Sequence, residues 1–211
     1  KSSLEIDLKE STEEIWGKFT KGHKSAVKKA KKDGITIRAA STTMEVESFL
    51  EVYLRMYRSR NIRPHTPHEI ESICNYLTLN NLGTLLLAFG PENVVLGGAI
   101  FVYQGVSVRY LLSASDPDRR DMPISHLMVN DAIEKAKAHK FKYFDFWGYN
   151  HFAGPSDQIY LVNRFKHGFG GYFTFLMKKM NISLIPSGFL IYKMYTRMKK
   201  VMVLLGNIHQ R

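Results

Sequence analysis

Between Gly83 and Ser115 the chain holds three apolar runs separated by very short turns: GTLLLAF (83–89), VVLGGAIFVYQ (94–104) and VSVRYLLSAS (106–115). Their β-branched and aromatic residues read as strands, and Pro91-Glu92-Asn93 and Gln104-Gly105 supply turn residues between them. Turns this short join antiparallel strands, so an antiparallel meander sits at the centre of whatever this chain folds into.

The flanking segments alternate. Leu4–Leu8 alternates like a short strand, and Ser11 or Thr12 can cap a helix whose first turn carries Glu13 and Glu14. A lysine-rich helix follows and ends at Gly34, before a strand at Ile35–Arg38. Met44–Arg60 has an amphipathic stripe of Val46, Phe49, Leu50, Tyr53, Met56 and Tyr57. After the loop NIRPHTP, Glu69–Leu79 reads as a second helix. Beyond the meander come a helix at Ser125–His139, a strand at Phe141–Gly148, a helix at Asp157–Lys166 and a strand at Tyr172–Lys178. An amphipathic helix spans 186–205. The order predicts an α/β (α+β) chain with a mixed, mostly antiparallel sheet flanked by helices. We expect one domain of 211 residues. It divides into a basic lead-in at 1–40, a core at 41–185 and a C-terminal amphipathic helix at 186–211, with no internal repeat.

Charge narrows the function classes. Thirty Lys and Arg against nineteen Asp and Glu leave a formal net charge of +11, which favours an anionic partner such as nucleic acid, a phosphorylated ligand or an acidic membrane surface. Cys74 is the one cysteine, which excludes an internal disulfide framework or a Cys-rich metal site and fits a reducing compartment. The histidines show no ligand spacing, so no metal is expected; a nucleophile elbow and a Walker loop are also missing. No apolar run reaches the roughly 18 residues of a membrane span, and no signal peptide is seen.

Four groups of residues could carry chemistry. In KFTKGHKSAVKKAKK (18–32), helical spacing puts Lys21, Lys24, Lys28 and Lys31 on one face, either a solvated face or a phosphate-binding one. In FKYFDFWG (141–148), Tyr143, Asp145 and Trp147 share a strand face. Asp145 either pairs with a nearby Arg or Tyr hydroxyl or helps wall a cleft with the loop YNHFAGPSD, which opens at Tyr149. Arg109 interrupts an apolar strand and Tyr110 points to its opposite face, so one of the two meets solvent or ligand. In NRFKHGFGG (163–171), Arg164, Phe165 and Lys166 precede Gly168. They either complement the dipole at a helix end or deliver a cation to a cleft. Lys166 shares its face with Ile159, Val162 and Asn163, which predicts a packed stem with its ammonium at a cleft. Phe165, with Leu161, would anchor the neighbouring face to the core, and Arg164 would meet solvent or phosphate.

In sequence order, IWGKFTKGHKSAVKKAKKDGITIRAA, YLRMYRSRNIRP, FDFWG and NRFKHGFGG resemble the Fem family of peptidoglycan-bridge aminoacyltransferases, built on the GNAT acyltransferase fold. The resemblance runs from Ile15 to about Tyr195, and the chain looks like the second of the family's two GNAT-like halves. It implies transfer of an amino acid from aminoacyl-tRNA to an amine of a peptidoglycan precursor. It also implies a cytoplasmic setting with peripheral contact at the inner membrane face, and no cofactor beyond the aminoacyl-tRNA co-substrate. Lys166 matches the lysine of the family's Phe-Lys pair and Tyr110 its cleft-lining aromatic. The base is then Asp145, water or a substrate phosphate, with substrate contacts expected at Arg164, Phe165, Arg109, Arg60 and Tyr149. Lys21, Lys24, Lys28 and Lys31 would hold the tRNA backbone. Aminolysis of an ester passes through an oxyanion that a fixed ammonium stabilises, and a tRNA arm is a polyanion that a basic face attracts.

Two rivals remain. The first is a coenzyme A-dependent GNAT N-acyltransferase using acetyl-coenzyme A. Its Gly-rich pyrophosphate turn would fall on DPDRRDMPIS (116–125), which has arginines but no glycine. The second is a non-catalytic RNA- or membrane-binding module that uses the helix at 186–205.

Overall fold

A computed structural model describes residues 2–175 together with Met194 and Tyr195. The expected helix at 186–205 and the end of the strand at 172–178 lie outside the described residues, apart from Met194 and Tyr195, which are helical and exposed.

The elements run β1 (Ser2–Asp7), α1 (Thr12–Lys18), α2 (Lys21–Lys32), β2 (Thr36–Ala39), α3 (Thr43–Ser59), α4 (Pro67–Leu79), β3 (Gly83–Phe89), β4 (Val95–Gln104), β5 (Ser107–Ser115), α5 (Ile124–Ala138), β6 (Tyr143–Asp145), α6 (Gln158–His167) and β7 (Tyr172–Phe175). Helix starts follow their caps. Ser11 and Thr66 each form a capping box, with Glu14 and Glu69, and Thr20 and Thr42 cap α2 and α3.

Seven strands make one sheet in the order β2-β3-β4-β5-β6-β1-β7. Every neighbouring pair is antiparallel except β5 and β6, which the α5 crossover makes parallel. The meander is thus as expected. From the lead-in, β1 lies inside the sheet between β6 and β7.

Both faces are covered, which explains the unbroken apolar run of β3. Leu86 and Ala88 join a core with α1, α2 and α5, whereas Leu85, Leu87 and Phe89 join a second core with α3 and α4. On β5 the pairing with β4 slips at Leu111: Ile100 opposes Leu112 but Phe101 opposes Tyr110. This bulge turns Leu112 and Ala114 toward the second core while Val108 and Tyr110 keep the first.

One strand is shorter than its sequence predicts. The alternation of 141–148 yields only Tyr143–Asp145, because Trp147 (φ 46°) and Gly148 (φ 55°) both adopt the left-handed conformation. Trp147 therefore does not share a strand face with Tyr143 and Asp145. Leu161, expected to anchor α6, is 69% exposed, and Phe165 does the anchoring with Phe169.

Candidate active site

The pairing of β6 with β5 and the left-handed turn at Trp147 and Gly148 bring Arg109, Asp145 and Lys166 into one neighbourhood. The turn points two successive carbonyls at α6, and the Lys166 ammonium donates to both, at 2.5 Å to Trp147 O and 3.2 Å to Gly148 O. One turn earlier on α6, Asn163 donates to the Asn150 carbonyl at 2.6 Å. The face of α6 that carries Asn163 and Lys166 is thus fastened to the loop after β6, as their spacing of three requires. Lys166 is 7% exposed, and burial pushes its pKa down to about 8 against the opposing pull of Asp145. The stem is packed as expected. The ammonium, however, meets carbonyls rather than an open cleft.

Asp145 sits at the end of β6 and is 3% exposed. It accepts from the Ser3 hydroxyl on β1, from the Trp147 amide at 2.8 Å and from Arg109 Nε on β5 at 2.9 Å. Of the two sequence readings for Asp145, pairing with an arginine is the one the geometry supports. A carboxylate that accepts three hydrogen bonds, one of them from a paired guanidinium, is held in a single orientation.

The glycines of 168–171 have separate jobs. Gly168 closes α6 with an ordinary φ of −66°, but a methyl group there would collide with the His23 ring. Gly170 (φ 77°) and Gly171 (φ 99°) turn the chain back into β7. His23, capped onto α2 by Thr20, shares a 2.9 Å hydrogen bond with the Phe165 carbonyl and packs edge-on against His126 and Phe169. Burial lowers the pKa of both histidines, that of His126 to about 4. They hold α2 against α5 and α6 as neutral rings.

The remaining expected residues are dispersed. Tyr110 is 8% exposed, donates to Ser113 and packs on Phe101 and Phe146, and burial raises its pKa to about 12. It is a core residue on the face opposite Arg109. Tyr149 is half-buried against Phe173, and its carbonyl accepts from Ser2. Arg164 is exposed. Arg60 caps α3, which packs on the other face of the sheet from α6, so it is not brought to Lys166. On α2, Lys21, Lys28 and Lys31 are exposed, Lys31 at the border of a cavity of about 310 Å³ with Trp16, Phe19 and Ile133, whereas Lys24 donates to Gly17 O at 2.8 Å. A second cavity of about 150 Å³ lies beside β1 and Gly171. Lys166 lines neither. Ser3 and the carbonyls of Trp147 and Gly148 could not be found from sequence, since neither a serine in a strand nor a main-chain oxygen leaves a pattern there.

Among the described residues no helix is long and apolar enough to cross a membrane, and no group of His, Cys, Asp and Glu is arranged to hold a metal.

A family model described as the FemAB family matches residues 63–200. Lipid II:glycine glycyltransferase of Staphylococcus haemolyticus (strain JCSC1435) is 32% identical over 91 residues, which are 43% of this chain and 22% of that protein. The crystal structure of FemX superposes with a TM-score of 0.75 at 17% identity, over 82% of this chain and 59% of FemX. L-PGS from Bacillus licheniformis superposes with a TM-score of 0.55 at 9% identity, over 82% of this chain and 57% of that one. The matched part is therefore less than two thirds of each of these proteins. The GNAT-like arrangement expected from the sequence agrees with the fold of FemX.

Proposed function

Because this chain belongs to the FemAB family, we propose that it serves the transfer of an aminoacyl group to an amine of a peptidoglycan precursor, with aminoacyl-tRNA as the donor. The glycyltransferase relative supports the reaction class. The observation that carries the proposal is Lys166, the lysine that the family resemblance singles out, held buried and oriented by two carbonyls.

In the proposed step the acceptor amine attacks the ester carbonyl of the aminoacyl-tRNA. A C–N bond forms and the carbonyl oxygen becomes an oxyanion; as the carbonyl re-forms, the C–O bond to the ribose breaks, and the proton lost by the amine ends on the ribose oxygen. An ammonium has three N–H donors; two point at Trp147 O and Gly148 O, and the third would serve the oxyanion. A pKa of about 8 keeps most of the group charged at neutral pH, so it can act as this donor. Asp145, already fully engaged with Ser3, Trp147 and Arg109, suits positioning better than proton removal. The exposed lysines of α2 would meet the tRNA backbone.

Coenzyme A is disfavoured as the donor by the start of α5. Pro123 occupies the cap, the Ile124 amide already donates to Met122 O at 2.8 Å, and Arg55 pairs with Asp116 at 2.8 Å in the preceding loop. A pyrophosphate needs free amides there.

The test is transfer of a labelled amino acid from aminoacyl-tRNA to lipid II by the wild-type and Lys166→Met proteins. We expect a loss of about 10²–10³-fold in the variant, and a wild-type rate that falls as pH rises through 8. Unchanged transfer in the variant, or turnover with acetyl-coenzyme A instead, would refute the proposal.

A further inference from the structure

Arg109 is fixed on two sides and open on a third. Its Nε donates to Asp145 Oδ2 at 2.9 Å, and its guanidinium carbon lies 4.0 Å from the centroid of the Trp147 ring. Neither support is loose. Asp145 is itself held by Ser3 and by the Trp147 amide, and the ring is set by the left-handed backbone of Trp147. Among the described residues, nothing accepts from the Nη groups of Arg109. The Asp145 side chain is 4% exposed while that of Arg109 keeps 23%, so the carboxylate is buried and part of the arginine side chain stays open to solvent.

We infer that the Nη edge of Arg109, backed by Trp147, is a preformed subsite for an oxyanion group, a carboxylate or a phosphate. A guanidinium presents parallel N–H donors that match both anions. A free arginine must lose rotamer freedom when it binds; Arg109 has already lost it to the Asp145 pair and the ring, which leaves more of the contact energy for the ligand. Stacking uses the face of the guanidinium and leaves its edge open. The charge balance agrees. Arg109 and Lys166 are two cations around the single carboxylate of Asp145, whose field reaches Lys166. Glu5, the nearest further acid by register, stands across β6 from Arg109, and its carboxylate lies 3.5 Å from the Tyr172 hydroxyl. A lone neutralising role for Arg109 would need only its Nε; the stacked, partly exposed remainder is what a ligand would use.

Calorimetric titration with inorganic phosphate and, separately, with acetate at constant ionic strength tests this without turnover, so its outcome is independent of the transfer proposal. The expected result is saturable binding of at least one anion, weakened at least tenfold in Arg109→Lys and unchanged in Arg58→Lys, an exposed arginine on α3 outside the network. Whichever anion saturates at the lower concentration identifies the group the subsite prefers. Trp147→Leu, which keeps Arg109 and Asp145 but removes the stack, should weaken binding by a smaller factor, and it serves as the test if Arg109→Lys does not fold. Absence of saturation in the wild type overturns the subsite, as does equal affinity in the folded variants.

Discussion

Lys21 and Lys28 project from α2 into solvent, whereas Lys166, on α6, ends against two carbonyls and is 7% exposed. The α2 lysines keep their hydration, so each is nearly interchangeable with its neighbours and acts through the summed field of the helix. Lys166 has exchanged water for specific acceptors and for Asp145, itself tied to β1 and β5. A charge in that setting is worth much or costs much, depending on a few tenths of an ångström. One cationic region can therefore be edited freely, and the other cannot.

The strongest way to break this contrast is Asp145→Ala. It leaves Arg109 and Lys166 as buried cations without their counter-charge, and we expect a loss of about 3–5 kcal/mol in unfolding free energy, toward the lower end because Arg109 stays partly exposed. Chemical denaturation measures it, and a loss under about 1 kcal/mol would mean that the network behaves like a surface pair.

A second test uses pH. The folded pKa of Lys166 is about 8 and its ordinary value 10.5. Between these, the unfolded chain binds the extra proton, so stability due to this group rises with pH across that window. Below 8 the lysine is charged in both states and its burial cost is paid in full. Wild type should gain up to about 3 kcal/mol relative to Lys166→Met between pH 8 and 10.5. Parallel stability curves for the two proteins would place the ammonium in water.

The smallest expected effect is at the other pole. Lys21→Glu with Lys28→Glu should alter stability by no more than about 0.5 kcal/mol. If α2 meets RNA as proposed, the same change should reduce the slope of log K against log salt by about 2. Filter binding across a salt series measures that slope. A large loss of stability would show that the α2 lysines are packed rather than solvated.

Much of the fold is local and could be read from the chain. The meander, the cap of α1, the stripe of α3 and the buried face of α6 each depend on residues within a few positions of one another, where periodicity and cap chemistry act directly. The same locality made Lys166 visible, since its neighbours at three, four and seven positions before it are apolar or buried. Reading failed where a left-handed pair interrupted the alternation of 141–148, because Trp147 gives no cue that its φ is positive.

What the sequence determined, then, was the inventory: a mixed sheet with helices on both faces, an excess of cations, and a lysine on the buried stripe of a helix that stops at glycine. Tertiary structure decided which of those cations are chemically distinct. Arg109 and Asp145 are 36 residues apart, Ser3 and Asp145 142, Lys166 and Trp147 19. They meet because β6 lies between β5 and β1 and the chain turns left-handed after Asp145. Hydrogen bonds and desolvation depend on distances of a few ångströms in space, and no periodicity in the chain encodes those.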